Sequence, residues 1–351
     1  MSLTADLIRR IEANGPMTLA EYMGLCLMHP EHGYYTTRDP LGATGDFITA
    51  PEISQMFGEL LGLCLAQVWQ VQGTPRAVLA ELGPGRGTLM ADMLRATRGV
   101  PGFHAAIEIH LVEASRPLRK AQEAALRGHE VTWHDGIETL PEAPFLLVAN
   151  EFFDALPIRQ MQRAADGWRE RMVGLRNGVL TFGLSEPKPM PMLAHRAQDT
   201  TEGDIVEVSP VAAMMAESVG ARITRHGGAA LIVDYGDWRA QGDTFQALRG
   251  HAPVDPLDTP GEADLTAHVD FEAIARASPA AHTRLTSQGV FLERLGITGR
   301  AQALARSLSG DALTAHVAAH RRLTHPEEMG TLFKVLGLYP ASGEPPPGLE
   351  K

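Results

Sequence analysis

The stretch from Ala77 to Asp92 constrains this chain more than any other. An apolar run, Ala77 to Leu82, reads as a buried strand, Gly83, Gly85 and Gly87 follow at alternate positions, and a helix-forming segment takes over at about Thr88. Such a loop must turn sharply and bring its backbone against a ligand, and a Cβ there would obstruct both.

The register of the glycines narrows the choice of ligand. A dinucleotide loop, G-x-G-x-x-G, would place its third glycine where Thr88 stands, and no G-x-x-x-x-G-K-[ST] phosphate loop occurs. With Glu81 closing the strand, the pattern E-x-G-x-G-x-G points to a class I, Rossmann-like α/β methyltransferase that uses S-adenosylmethionine (SAM), a cofactor without phosphate. The alternative is a glycine-rich connection in another α/β protein.

The chain of 351 residues is long enough for one large α/β domain with additions, and an apolar content of 44% supplies a core. A net charge of −11 argues against a general nucleic-acid binder. Cys26 and Cys64 stand far apart, neither a disulfide framework nor a metal knuckle, which fits a reducing cytoplasm. Residues from Leu3 onward enter an amphipathic pattern at once, and no apolar run is long enough to span a bilayer, so an untargeted cytoplasmic protein, not embedded in a membrane, is expected.

Residues 1–75 read as N-terminal helices and a lid. Two helices precede a Gly/Pro/aromatic segment from Gly33 to Gln55, and Glu52 to Val71 reads as one long helix. After the glycine loop, Ile107 to Glu113 is the next strand. Glu113 ends it thirty residues after Gly83, where a carboxylate can accept both hydroxyls of a ribose. Val131 to Asp135 is the third strand, with Asp135 placed to accept from an adenine amino group. Phe145 to Ala149 is a central strand that ends in Asn150, Glu151, Phe152, Phe153 and Asp154. Chemistry in open α/β sheets gathers at such carboxyl ends.

Asp166-Gly167 and Asn177-Gly178 are hairpin patterns, so residues 158–204 read as an antiparallel β-meander inserted into the methyltransferase domain of residues 76–157 and 205–340. A mostly parallel, seven-stranded sheet is expected in that domain. Later strands are expected at Ala229 to Gly236 and Met329 to Leu336, helices after Ser209, around Phe271 and from 290 to 322, and a loose tail over 341–351. His316 and His320 have an i, i+4 spacing, but the glutamate of H-E-x-x-H and a third ligand are missing, so no metal is assigned.

Gly33-Tyr34-Tyr35, the run from Gly45 to Gln55, Glu81 to Gly87, Asn150 to Pro157, Val233-Asp234-Tyr235-Gly236 and Phe333 to Leu336 together resemble the MidA family. These are the mitochondrial complex I assembly-factor methyltransferases and their bacterial relatives, and this chain resembles a bacterial member. The resemblance implies a SAM-dependent protein arginine methyltransferase, with S-adenosylhomocysteine as product and a complex I 49 kDa-type subunit as substrate. Alternative readings are a SAM-dependent methyltransferase of a small molecule or RNA, and a SAM-binding assembly chaperone.

Methyl transfer requires a nucleophile aligned with the methyl group and the exclusion of water. Guanidinium is a poor nucleophile, and paired carboxylates orient it and localise its charge. Glu151 and Asp154 are the candidates for that role, with Asp46 on the lid a third. Glu81, Gly83, Gly85, Gly87, Glu113, Asp135, Asn150 and Ser54 are the candidates for holding the cofactor.

Overall fold

The computed structural model describes residues 2–37 and 49–351. Six strands form the frame of a nine-stranded sheet: β1 (Ala77–Leu82), β2 (Ile107–Val112), β3 (Val131–His134), β4 (Phe145–Asn150), β5 (Gly228–Asp237) and β6 (Phe333–Tyr339). They lie in the order β3-β2-β1-β4-β5-β6. Neighbours are parallel except β6, which runs antiparallel to β5. Two short strands, Ala281–His282 and Thr286–Ser287, pair with the outer side of β6 and supply the seventh position.

Every residue of β1 and β4 is buried. Helices cover both faces of the sheet, which is why these strands read as continuous apolar runs rather than alternating ones. The helices of the N-terminal half include α1 (Leu3–Asn14), α2 (Leu19–Met28), α3 (Gln55–Gln72) and α4 (Thr88–Thr97). α3 and α4 pack on one face through Phe57, Leu61, Leu65, Met90 and Met93 against Leu79, Leu146 and Leu231. Helices Pro210–His226 and Phe271–Ala277 cover the other through Val219, Ile223 and Phe271 against Val78, Leu147 and Ile232.

The helix expected over Glu52 to Val71 is divided. Ser54 is extended (φ −160°, ψ 136°), separating a short helix, Ala50–Ile53, from α3, and its hydroxyl accepts from the Met56 N–H at 3.3 Å. The segment from 290 to 322 is likewise three helices, Gln288–Arg294, Ile297–Ala305 and Gly310–Thr324. Residues 329–332 form a helical turn, so the last strand begins only at Phe333.

The meander becomes part of a larger sheet. Arg159–Ala164, Gly167–Arg176 and Val179–Leu184 pair antiparallel, joined by Ile205–Val208 on one edge and by Met17–Thr18 from the N-terminus. Asn177 and Gly178 form one hairpin turn, both at positive φ (53° and 76°). The other turn falls one residue earlier than its sequence pattern suggests, on Ala165 and Asp166, because Gly167 already pairs with Ala164. α1 and α2 lie on this sheet, burying Leu7, Leu19, Tyr22 and Met23 with Ile158, Val173 and Leu265.

The C-terminal tail, expected to be loose, is packed. Leu349 is 6% exposed, the Arg284 N–H donates to the Glu350 carbonyl at 2.8 Å, and the Cys64 thiol reaches the Pro347 carbonyl. No helix of the described residues is long and apolar enough to cross a membrane.

Close packing of α3 on α4 depends on two glycines. A Cβ at Gly58 would stand 2.7 Å from Asp92 Cβ, and one at Gly62 2.7 Å from the Met93 backbone. We expect Gly62→Val to lower unfolding stability by about 1–3 kcal/mol through overpacking, measured by urea denaturation with fluorescence. Stability equal to that of the parent chain would contradict this packing.

Candidate active site

The sheet order creates the site. From β1 the chain moves outward to β2 and β3 and then returns to β4 on the other side of β1, so the loops after β1 and β4 diverge and leave a crevice at their carboxyl ends. A cavity of about 310 Å³ occupies that position. Its walls come from the glycine loop (Gly83 to Arg86), Glu81, Glu113, Asp135, and the segment after β4 (Asn150 to Phe152, Ala155 to Pro157).

Gly83 and Gly85 adopt left-handed conformations (φ 60° and 54°) and line the cavity. A Cβ on Gly83 would sit 2.6 Å from the Phe152 ring, so the loop and the β4 segment close on each other. Gly87 (φ 85°) is the N-cap of α4 and faces the helix Arg116–Ala125, where a Cβ would meet Gln122 at 3.3 Å. Its place is behind the loop rather than on the wall.

Glu113 accepts from the Ser115 N–H at 2.7 Å and from Gln122 Nε2 at 3.3 Å, and Gln122 also donates to the Gly85 carbonyl at 2.7 Å. Gln122, which the sequence pattern did not single out, therefore ties the glycine loop to Glu113. Burial pushes the Glu113 carboxyl up to about 6. Glu81 is buried at the end of β1 with Oε2 lacking a partner, and burial, reinforced by the Glu113 charge, pushes its carboxyl up to about 8. Asp135 stands at the rim, its side chain 91% exposed and paired with Arg119.

The β4 segment carries the unusual backbone. Glu151 has φ 50°, a left-handed conformation that costs free energy for a residue with a Cβ. Asp234 at the end of β5 holds it there: its Oδ2 accepts from three successive N–H groups, Phe152 (3.1 Å), Phe153 (2.9 Å) and Asp154 (3.2 Å). The Glu151 N–H donates to the Val233 carbonyl at 2.9 Å. Glu151 Oε1 accepts from the Ala50 N–H at 2.8 Å and from Asn150 Nδ2 at 3.0 Å, and Asn150 Oδ1 is buried without a partner. Burial pushes the Glu151 carboxyl up to about 7 despite these donors.

The expected pairing of Glu151 with Asp154 on one wall is not what the fold produces. Asp154 is 7% exposed and lies behind the cavity beside Tyr235, its Oδ1 without a partner. The three-residue step from 151 to 154 crosses a turn pinned by Asp234, and that turn carries Asp154 inward. Ser54 caps α3 and does not line the cavity; Thr49, Pro51 and Glu52 do, and Glu52 accepts from the Thr88 hydroxyl. Asp46 lies outside the described residues. Leu27, Met28 and Tyr35 add a wall from the N-terminal segment, and the Tyr35 hydroxyl donates to Asp264 at 2.8 Å. His316 and His320 lie elsewhere, bonded to the Ala301 carbonyl and to Thr298.

Among the described residues no Lys or Arg side-chain nitrogen comes within 4.0 Å of the carboxylates of Glu81, Glu113, Glu151, Asp154 or Asp234. Among the described residues, three buried acids (Glu81, Asp154 and Asp234) and two on the cavity wall (Glu113 and Glu151) have no ion-paired Lys or Arg, so this end of the sheet favours positively charged ligands.

Residues 60–290 match the family described as "Putative S-adenosyl-L-methionine-dependent methyltransferase". The chain is 38% identical to the mitochondrial protein arginine methyltransferase NDUFAF7 of Danio rerio, over 95% of this chain and 86% of that protein. The Homo sapiens NDUFAF7 is 36% identical over 95% and 82%. Among solved structures, a Burkholderia thailandensis protein bound to S-adenosyl-homocysteine superimposes with a TM-score of 0.84 at 31% identity, covering 99% of this chain and 94% of that one.

The raised carboxyls have a consequence for stability. Glu151 and Glu81 ordinarily ionise near 4.5 but are pushed to about 7 and about 8 in the fold. Across that interval the folded chain holds protons that the unfolded chain has released, so this contribution is full below 4.5 and is lost as pH rises through 7 to 8. Glu59 titrates outside that interval: burial pushes it up, but hydrogen bonds from Arg300 and Arg95 bring it below its ordinary value. The melting temperature of the ligand-free protein is expected to fall between about pH 6 and pH 8.5, and Glu151→Gln to flatten part of the fall. Calorimetric scans giving a flat or rising profile in that range would rule out the assignment.

Proposed function

This chain belongs to the family of SAM-dependent methyltransferases that its sequence matches, and we propose that it transfers methyl groups from SAM to arginine side chains of a protein. The observation that carries the reading is the cavity at the β1/β4 crevice, which has the glycine loop and Glu113 at one end and Glu151 at the other.

The donor set fits the cofactor. Glu113, fixed by Ser115 and Gln122, presents its remaining acceptor capacity to a ribose diol, and Gly83 and Gly85 allow close backbone approach. Asp135 at the rim is placed beside an adenine, and Glu81 and Asn150 offer unpartnered oxygens toward a cationic methionyl end. When bound, SAM supplies an electrophilic methyl group on a sulfonium.

Glu151 supports the acceptor. A guanidinium beside it forms a charge-assisted hydrogen bond with a carboxylate that, among the described residues, has no Lys or Arg in ion-pair contact. As the methyl group bonds to the guanidino nitrogen and leaves sulfur, that nitrogen gives up one proton. Glu151, poised near neutrality, accepts it. Asp234 and Asn150 keep the carboxylate in place, and the Phe152 and Leu156 side chains exclude water.

The substrate we propose is a 49 kDa-type subunit of a complex I-like NADH:quinone oxidoreductase, met in the cytoplasm. Support comes from the resemblance of the motif set and from the names of relatives 36–38% identical. Incubating the protein with labelled SAM and extract from cells that lack it, followed by mass spectrometry for methylarginine, tests acceptor chemistry and substrate together. Label found only in small molecules or RNA would overturn the reading.

Two substitutions separate the ends of the cavity. Glu113→Ala is expected to weaken SAM binding by about tenfold or more, read by calorimetry, because the ribose loses its fixed acceptor. Glu151→Gln is expected to lower transfer by about 100-fold or more while SAM affinity stays within a few-fold. Unchanged turnover in that variant would remove Glu151 from the reaction.

A further inference from the structure

The four-residue helical turn Ala50–Ile53 bonds to both ends of the cavity. At its start the Ala50 N–H donates to Glu151 Oε1 at 2.8 Å. Two residues later Glu52 Oε1 accepts from the Thr88 hydroxyl at 2.5 Å. Thr49, Pro51, Glu52 and Thr88 all line the cavity, and Ala50 is buried.

A lone helical turn is not stable by itself, so its orientation comes from what holds it. The N-cap residue Thr49 makes no side-chain cap bond, and the extended backbone at Ser54 ends the turn before α3 begins, so α3 does not carry it as one continuous helix. Ala50 and Ile53 bury apolar atoms, but such contacts have no direction of their own. Thr88, by contrast, is fixed. It opens α4 directly after Gly87, whose N–H donates to the Pro84 carbonyl at 2.8 Å and whose carbonyl accepts from the Ala91 N–H at 3.0 Å. The Glu52–Thr88 bond therefore ties the turn to the glycine loop, and the Ala50–Glu151 bond ties it to the segment after β4.

We infer that Glu52 is a positioning residue for methyl transfer: through its hydrogen bond with Thr88 it holds the turn so that the Ala50 N–H stays on the Glu151 carboxylate. The inference rests on the role given to Glu151 above and deepens it. Both donors, Ala50 and Asn150 Nδ2, go to Glu151 Oε1, leaving Oε2 as the oxygen for the acceptor proton. Burial raises the Glu151 carboxyl most, and the Ala50 N–H is the largest of the influences that oppose it, followed by Asn150. Asp154 on the same segment and Asp234 at the end of β5 add to the rise, while Arg322 of the helix Gly310–Thr324 acts against it. Loss of the Ala50 N–H moves the carboxyl upward, and fewer molecules then carry the ionised base at neutral pH.

The test breaks the bond from each side. Glu52→Ala and Thr88→Val each remove one partner, whereas Glu52→Gln and Thr88→Ser keep an acceptor oxygen or a hydroxyl in place. Turnover with labelled SAM and protein from cells that lack this chain is expected to fall about tenfold for Glu52→Ala, for Thr88→Val and for the double variant alike, with SAM affinity within about threefold. The two conservative variants are expected to stay within about threefold of the parent chain in turnover. The rise of turnover with pH through about 7 is expected to move to higher pH in the alanine and valine variants. In ligand-free protein, the part of the fall in melting temperature that belongs to Glu151 is expected to extend to higher pH for the same reason, and to show no such change in a Glu151→Gln background. That measurement needs no acceptor. An upward move there upholds the hold of Glu52 on Glu151 even where no protein is labelled, an outcome that sinks the arginine reading alone. Unchanged turnover, a loss of SAM affinity in step with turnover, or a ligand-free profile that stays in place or moves to lower pH overturns the inference.

Discussion

Two parallel strands, β1 and β4, lie side by side although the chain between them travels out to β2, turns into β3 and comes back. That reversal is the constraint from which the rest of the site follows. Connections leaving β1 and β4 are forced to opposite faces of the sheet, and the crevice between them cannot be filled by the sheet itself. The glycine loop, Glu113 and the segment after Asn150 meet there because each is the first residue group past the end of a strand in this part of the sheet.

Asp234 then converts a crevice into a site. Its carboxylate sits at the end of the neighbouring β5 and gathers three N–H groups from the loop that follows β4. Those bonds offset the strain at Glu151 and decide which way each side chain of the loop points. Burial beside Glu151 and Asp154 pushes the Asp234 carboxyl up, while the N–H donors act in the opposite direction. The balance concentrates acid in a place with low water access, where an entering cation gains more than it would on the surface. A cationic cofactor and a cationic acceptor side chain are the ligands whose charge such an arrangement favours.

The N-terminal segment takes part in the site through a different route. α1 and α2 lie on the antiparallel sheet rather than on the central one, sharing a core with Ile158 and Val173. Because that sheet grows directly from the segment after Pro157, it holds α2 against the mouth of the cavity. The inserted sheet is thus the support that brings Leu27 and Met28 to residues far away in sequence. The Tyr35 hydroxyl, on Asp264, fastens the same region from the other side.

Much of this was legible in the residues themselves. A strand, three alternate glycines and a helix start are local patterns governed by backbone conformation, and Glu113 and Glu151 fall where strand lengths of six residues place them. The pattern of Asn177-Gly178 likewise specified its turn, since both positions need positive φ. What no local rule contained was which surfaces meet. Asp154 turns inward because Asp234, eighty residues later, pins its N–H. Ser54 caps a helix because the chain bends there. Gly167 pairs with Ala164 instead of turning. Periodicity and φ preferences act over a few residues and are written in the sequence by itself, whereas the direction of a side chain at the site depends on hydrogen bonds and packing between distant segments, and only the tertiary structure decides those.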